Sequence, residues 1–443
     1  MTQFVGRHVA PEMLALGFLE LLLTFALAYV FLMPANGGFA AAAAHQALIC
    51  ALTVGFTGFV IGLYRPQMFQ RARGLVFNTL LSALLSFPAV WIVSKLSGLN
   101  VYWPVGWWDT LRPVKIVLIW SGALVAIRVL FLVATRCNLF VRRVALVGPV
   151  EAPAIEAAVR AGRRGFLEVS VVPPERASPT RLSGARVRTL VFARGSADSL
   201  LPTLTSDYKR RGIEIESEAE FWERHLRRVD IANLEPSWFT ELPATGTRQL
   251  SLAVSRVFDI IVSLSLLLST LPLILLVALL VRLESRGPVL YRQERVGLGG
   301  KPFTCLKFRS MRANAEAAGP TWAQQRDPRV TRIGSFMRRT RIDELPQLFN
   351  ILGGEMSFIG PRPERPHFVE QLAAAIPFYH ERARVKPGLT GWAQVNYPYG
   401  ASVEDARAKL SFDLYYVKNR SLFLDILILL STIRVVLFQE GSR

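Results

Sequence analysis

The sequence predicts a membrane protein in three parts. These are a four-helix transmembrane block over residues 1–140, an α/β middle domain over 141–250, and a mainly helical third domain over 251–443 with a reentrant membrane helix over 257–281. Three observations predict it. Four apolar runs of membrane length fill the N-terminal part, a soluble pattern of short strands follows, and a fifth apolar segment carries a proline near its midpoint with arginines at both ends. Composition agrees: of 443 residues, 51% are hydrophobic and only 19% charged, as suits a chain partly in lipid. The formal net charge of +19 fits nucleic acid, anionic lipid or a phosphorylated substrate, so the position of the charges must decide.

The apolar runs cover about Pro11 to Met33, Ala44 to Tyr64, Leu75 to Leu96 and Val114 to Ala134. Each is close to the ~20 residues needed to cross the hydrocarbon core. Arg65, Arg71 and Arg73 lie between the second and third runs, and Arg136, Arg142 and Arg143 follow the fourth. The loop Pro34 to Ala43 has no basic residue, and the third loop has only Arg112, so both ends of the block are expected in the cytoplasm. Trp91, Trp103, Trp107, Trp108 and Trp120 are expected as interfacial belt residues. The first run is too long for a signal peptide and has no small-residue cleavage site, so it reads as an anchor.

From about Arg142 to Ser251 the pattern is soluble α/β. Val144 to Gly148 reads as a buried strand, followed by an Ala-rich helix, a second strand over Leu167 to Val172 and a third over Arg188 to Ala193. This is a Rossmann-like beginning. However, Gly148-Pro149-Val150-Glu151-Ala152-Pro153 lacks the later glycines that let a backbone approach a pyrophosphate, so the expected role is a folded spacer or regulatory domain.

Val257 to Val281 is long enough to span a bilayer, which would carry everything after it across. Positive charge on both sides argues for a helix that enters and leaves on one face: Arg248 and Arg256 precede it, and Arg282, Arg286, Arg292 and Arg295 follow. Pro272 supplies the expected helix break, because proline removes one backbone hydrogen bond and clashes one turn back. Ser269 and Thr270 are placed to satisfy freed backbone groups. A straight crossing remains the alternative on these grounds alone.

Tyr291 to Phe303 reads as strand, Gly-rich turn and strand, continuing through Cys305 to Met311 with Lys307 and Arg309 on one face. Those two cations suit either a solvated edge strand or a phosphate or lipid-headgroup contact. Farther on, Asp343-Glu344 stands among Arg338, Arg339 and Arg341. Acids capping a helix start explain such a pair in isolation, with Pro346 tolerated in the first turn. Successive helical side chains diverge by about 100°, so the two carboxylates are expected to have separate jobs, ionised by the nearby arginines. Cys50, Cys137 and Cys305 form no CxxC pattern, and His8, His45, His225, His367 and His380 show no ligand spacing.

Several motifs occur in order from Ser255 to Phe438: Arg256-Val257-Phe258-Asp259, Gly287-Pro288-Val289, Arg292-Gln293, Lys307-Phe308-Arg309-Ser310-Met311, Arg341-Ile342-Asp343-Glu344-Leu345-Pro346-Gln347, Gly360-Pro361-Arg362-Pro363-Glu364, and Lys386 through Val395. With them the chain resembles the bacterial sugar transferase family, the monotopic polyprenyl-phosphate phosphoglycosyl transferases with a reentrant membrane helix. The four-helix block and middle domain look like the longer, exopolysaccharide-initiating members. One departure is Leu271-Pro272, where many relatives have serine before the proline.

The resemblance implies a two-step reaction at the cytoplasmic face of the bacterial inner membrane. Asp343 would take the sugar-phosphate from a UDP-sugar with loss of UMP, and undecaprenyl phosphate would then accept it. It implies Mg²⁺ at Asp343 and Glu344, with Glu344 positioning the metal or activating the lipid phosphate. Lys307, Arg309, Arg362 and Lys386 are the implied phosphate contacts, with Glu364 and Gln394 as pocket residues. Leu422 to Phe438, carrying Asp425 and Arg434, is expected as an interfacial or packed helix. Tyr397, Tyr399, Tyr415 and Tyr416 fit either the headgroup level or internal packing. A membrane-anchored scaffold or sensor of polysaccharide assembly is the other function class. No nucleic-acid motif is present. The sequence leaves the transferred sugar open, and homo-oligomers remain allowed.

Overall fold

The computed structural model describes residues 11–32, 41–61, 63–64, 72–96, 111–137, 139–147, 155–156, 159, 167–192, 202–241, 245–312, 327–397, 400 and 402–437. They form two compact units, Met1–Leu226 and Arg227–Arg443.

The first unit opens with α1 (Pro11–Leu32), α2 (Ala41–Ile61), α3 (Ala72–Leu96) and α4 (Leu111–Arg136), each within a few residues of its apolar run. Stretches long and apolar enough to cross a membrane lie in α1, α2 and α4, while the apolar part of α3, Leu75–Val90, is shorter. Phe18, Leu84 and Leu130 face outward, and Met13, Leu16, Leu75 and Leu132 pack inward. At the bundle centre the Arg128 guanidinium donates to both oxygens of Glu20, at 2.5 and 2.7 Å, and to Thr79 at 2.9 Å. Tyr64 donates to Glu20 as well, at 2.8 Å. Trp120, expected as a belt residue, instead turns its indole N–H inward to Thr24 Oγ1 at 3.1 Å. A buried N–H needs a partner, and lipid offers none. Trp103, Trp107 and Trp108 lie outside the described residues, as do Arg65 and Arg71.

A parallel sheet follows in the order β2-β1-β3-β4, with β1 (Arg142–Val147), β2 (Leu167–Val172), β3 (Val187–Phe192) and β4 (Glu214–Ser217). Ala145 and Leu190 pack on one face and Val144, Leu146 and Val191 on the other, which is why β1 and β3 read as continuous apolar runs. α5 (Pro179–Gly184) and α6 (Pro202–Arg210) connect the strands. The polar β4 was not anticipated. Ser217 ends it and caps α7 (Glu218–Phe221) through a reciprocal box with Glu220. The Gly148–Pro153 turn lies outside the described residues.

The second unit begins earlier than the expected boundary at 250. Val229 N–H donates to Ser411 O at 2.9 Å, Trp392 Nε1 to Arg227 O at 3.0 Å, and Val229, Ile231 and Trp238 join the core of this unit. No periodicity marks that segment, because its partners lie far along the chain.

α8 runs unbroken from Thr245 to Glu284, 40 residues with Pro272 inside. The expected break is therefore not an interruption, since the helical turns continue through Pro272, and a proline inside a helix is a point where its axis bends. In apolar surroundings every other backbone amide keeps its bond, so one lost bond does not end the helix. Ser269 and Thr270 donate to Leu266 O, at 3.0 and 2.7 Å, rather than to the Leu268 carbonyl one turn before the proline. Ser255, Asp259, Ser263, Val277 and Val281 form a buried stripe, while Val257, Ile261, Leu268, Leu275 and Leu279 are exposed.

The expected hairpin is present: β5 (Leu290–Val296) pairs antiparallel with β6 (Pro302–Phe308) across the Leu298–Gly300 turn, with Tyr291 opposite Lys307. α9 (Arg332–Thr340) and α10 (Gln347–Gly353) follow. β7 (Ser357–Ile359) pairs parallel with β8 (Gly388–Thr390), with α11 (Pro366–Ala375) between them. α12 (Trp392–Asn396), α13 (Val403–Asn419) and α14 (Leu422–Leu437) complete the unit. Leu348, Ile351, Tyr415, Tyr416, Leu424 and Ile428 are central to its core. Tyr415 and Tyr416 are thus packed internally, with Tyr416 donating to Asp425 Oδ1 at 2.8 Å. Tyr397 donates to Asp405 at 3.0 Å, and Tyr399 lies outside the described residues.

Candidate active site

The Asp343-Glu344 pair is held by a sharp turn. Arg341 adopts the left-handed region at φ 61°, ending α9 and starting a single 3₁₀ turn, Ile342–Glu344, that leads through Pro346 into α10. The pair therefore precedes α10 rather than occupying its first turn, and its side chains diverge by about 120°. Both acids are buried, 8% and 6% exposed.

Their surroundings differ sharply. Glu344 Oε1 receives Lys307 Nζ at 3.2 Å and Arg362 Nη2 at 2.5 Å, while Oε2 faces Arg362 Nη1 at 3.4 Å and Arg341 stands 3.9 Å away. Burial alone would raise the Glu344 pKa, but Arg362, Lys307 and Arg341 outweigh it and hold it well below the usual range. Asp343 has no such clamp. Its Oδ1 is buried with no hydrogen-bond partner among the described residues. Burial, reinforced by the Glu344 charge, pushes its pKa up to about 6 against the pull of Lys307, Arg338 and Arg341. The expectation that nearby arginines favour both ionised forms thus holds for Glu344 and is reversed for Asp343, where desolvation wins. Arg338 turns instead to Ser310 Oγ at 2.9 Å, and Arg339 is exposed.

Of the other expected residues, the structure brings Lys307 and Arg362 to the pair. Arg309 goes elsewhere and is corrected: its guanidinium bonds Ser285 O at 2.7 Å and Arg286 O at 3.2 Å, closing the C-terminal end of α8. The side chain fills the space where Gly287, at φ +128°, would carry a Cβ. A side chain just past the end of β6, two residues from Lys307, is thereby engaged by the carbonyls that follow α8, away from the acid pair. Glu364 faces Arg295 at 3.7 Å, beside Arg362 in sequence. Gln394 donates to Leu389 O at 3.2 Å within its own segment. Lys386 lies near Gly354, at the far end of α10. Sequence reasoning missed Arg382 and Asp413. Part-buried Arg382 pairs with Asp413 at 2.8 Å and donates to Arg362 O at 3.0 Å, fixing the backbone that presents the Arg362 guanidinium. Their spacing carries no motif.

No group of three or more His, Cys, Asp or Glu able to hold a metal occurs among the described residues. Mg²⁺ does not need one, since it is commonly held by one or two carboxylates, substrate phosphates and water. The orphaned Asp343 Oδ1 fits that requirement. Glu344 does not, because its oxygens are already committed to Lys307 and Arg362.

Residues 250–439 match the bacterial sugar transferase family. The chain is 42% identical over 240 residues to the UDP-N-acetylgalactosamine-undecaprenyl-phosphate N-acetylgalactosaminephosphotransferase of Aeromonas hydrophila, covering 50% of this chain and 57% of that one. It is 42% identical over 211 residues to the UDP-glucose:undecaprenyl-phosphate glucose-1-phosphate transferase of Escherichia coli (strain K12), 47% of this chain and 45% of that protein. The matches thus span about half the length of these two relatives. With an exopolysaccharide production protein of Rhizobium leguminosarum bv. phaseoli the identity is 43% over 193 residues, 42% of this chain and 95% of that protein. A match across nearly all of that relative, together with the family match over residues 250–439, which contain the buried acid pair and its cations, means that the chain belongs to the bacterial sugar transferase family.

Proposed function

We propose that the chain transfers a sugar-1-phosphate from a UDP-sugar to undecaprenyl phosphate, releasing UMP, as the first membrane step of exopolysaccharide synthesis. The observation that carries this reading is the asymmetry of the acid pair. Glu344 organises Lys307 and Arg362, and the neighbouring Asp343 keeps an unengaged, desolvated oxygen. An Asp343 oxygen attacks the phosphorus that bears the sugar, and the bridging P–O bond to UMP breaks. A phosphate oxygen of undecaprenyl phosphate then attacks the same phosphorus and frees the carboxylate. Lys307 and Arg362 lower the repulsion between a carboxylate and an anionic diphosphate, and their link to Glu344 holds them still. With a pKa far below neutrality Glu344 is a poor base, which favours this organising role. Mg²⁺ bound at Asp343 would add charge neutralisation on the phosphates.

Reentry of α8 is part of the proposal, and packing supports it. Phe258, Val262, Leu266 and Leu267 pack on the core that contains Ile351, whereas Ile274, Val277 and Val281 pack with Phe308, Met337 and Ile342. Ile342 and Ile351 are separated by one short helix of ~10 Å. Elements so close cannot sit on opposite sides of a hydrocarbon core of ~30 Å. This packing supports a reading in which both halves of α8 lie on one face, and we take that face to be the cytoplasmic one, where a sugar nucleotide is available.

The test is mass spectrometry of the full chain incubated with Mg²⁺ and UDP-glucose or UDP-N-acetylgalactosamine, without acceptor. A sugar-phosphate adduct on Asp343, absent from Asp343→Asn, is expected; an adduct on another residue, or an equal one in the variant, overturns the nucleophile assignment.

A further inference from the structure

Lys386 belongs to a second charged cluster, away from the acid pair. A Cβ on Gly354 would lie 3.7 Å from Lys386 Nζ and 3.8 Å from Arg256 Nη2, so the two cations converge over that glycine. Gly354 closes α10 at the end opposite Asp343, about 10 Å away along a seven-residue helix. Arg256 donates to Ile351 O at 2.5 Å and Leu352 O at 2.6 Å, as suits a cation at a helix C-terminus. Lys386 has no hydrogen-bond partner among the described residues, and Arg420 Nε is buried without one.

The nearby acids do not neutralise these cations by direct pairing. Asp259 Oδ1 accepts from Ser357 Oγ at 2.9 Å and Phe358 N at 2.7 Å, and Asp425 Oδ1 accepts from Tyr416. Burial, then the like charges of Arg256 and Arg420, hold Lys386 below the usual lysine range against the opposing pull of Asp259. Such crowding is relieved by an anion.

The cluster also stands beside the exposed apolar faces of two helices. Arg256 precedes the exposed Val257, Ile260, Ile261 and Leu264 of α8, and Arg420 precedes the exposed Leu422 and Ile426 of α14. Cations in that position lie at the level of lipid headgroups. We infer that Arg256, Lys386 and Arg420 form a second anion site, separate from Asp343-Glu344, that takes the phosphate group of a membrane lipid. That the lipid is the acceptor itself, waiting beside the site of transfer, rests on the reaction proposed above; an anionic phospholipid would use the same contacts.

The experiment measures binding to the detergent-solubilised full chain with no donor present, so its outcome is independent of whether UMP is ever released. Undecaprenyl phosphate, phosphatidylglycerol and inorganic phosphate are titrated separately. The Lys386→Gln/Arg420→Gln chain should lose at least tenfold in apparent affinity for one of the two lipids, and Lys386→Arg should bind as the parent does. The affected lipid identifies the occupant. Lys386→Gln alone, which leaves the Arg256 bonds to α10 in place, serves if the double variant fails to unfold cooperatively. Unchanged affinity for both lipids overturns the site, and inorganic phosphate binding as tightly as either lipid overturns its assignment to lipid.

Discussion

Two buried acid–base clusters in this chain obey opposite rules. In the N-terminal bundle Glu20 and Arg128 meet one to one, in bidentate contact, with Thr79 and Tyr64 taking further bonds. Around Asp343 and Glu344, Lys307 and Arg362 both serve Glu344, and Asp343 keeps a buried oxygen with no partner. A charge removed from water is tolerated when fully paired, so the first cluster is frame. The second leaves the Asp343 oxygen open to a proton, a cation or a substrate, which is what the proposed site requires.

The largest expected break in this comparison is Asp343→Asn. Activity should fall by roughly a thousandfold or more, as when a nucleophile is removed, while the thermal midpoint stays level or rises because an unpaired buried charge is gone. A clearly lowered midpoint would show that Asp343 is structural. In the bundle the sign is reversed: Glu20→Ala or Arg128→Ala alone should cost on the order of 3–5 kcal/mol, while replacing both with apolar residues should cost far less. Unfolding of the first unit in detergent reads this, and equal losses in single and double variants would refute the pairing.

Glu344→Gln should lower stability by about 1–3 kcal/mol, since Lys307 and Arg362 lose their counter-charge, and should raise the donor KM. Stability unmoved with activity gone would make Glu344 a reacting group instead. Gly287→Ala should cost roughly 1–3 kcal/mol, because φ +128° is strained for a side chain and the Arg309 guanidinium occupies the space. No change in the unfolding midpoint would show that the Arg309 clamp is loose.

The smallest effect is in pH dependence. Asp343 has a folded pKa raised to about 6 from 3.8; on the proposed mechanism its ionised form attacks, and UMP release should fall as pH drops through about 6. The same shift means that the fold binds the proton more tightly than the unfolded chain does. Asp343 therefore favours folding at low pH, and that contribution is lost as pH rises from about 4 through about 6. Asp343→Asn should remove this slope from stability-versus-pH curves, and persistence of the slope would assign it to another group.

Much of this was legible in sequence for a definite reason. Apolar runs, arginine placement and β-type runs are local patterns set by helix and strand periods, and they located α1 to α4, β1 to β3, α8 and the β5–β6 hairpin. The acid pair and Lys307 and Arg362 were legible through ordered motifs. Illegible were Arg382 and Asp413, whose bond joins residues 31 apart, and the start of the second unit at Arg227, held by Ser411 and Trp392.

By itself, then, the sequence determined which segments are apolar and which are soluble, because those follow from composition and spacing, and its ordered motifs pointed to the candidate site. Tertiary structure alone decided how the charges are partnered. It put Lys307 and Arg362 on Glu344 and not on Asp343, sent Arg309 to the end of α8, and set Lys386 beside Arg256. The physical reason is that pairing depends on distances of a few ångströms and on burial, and both are properties of the folded chain and not of its order.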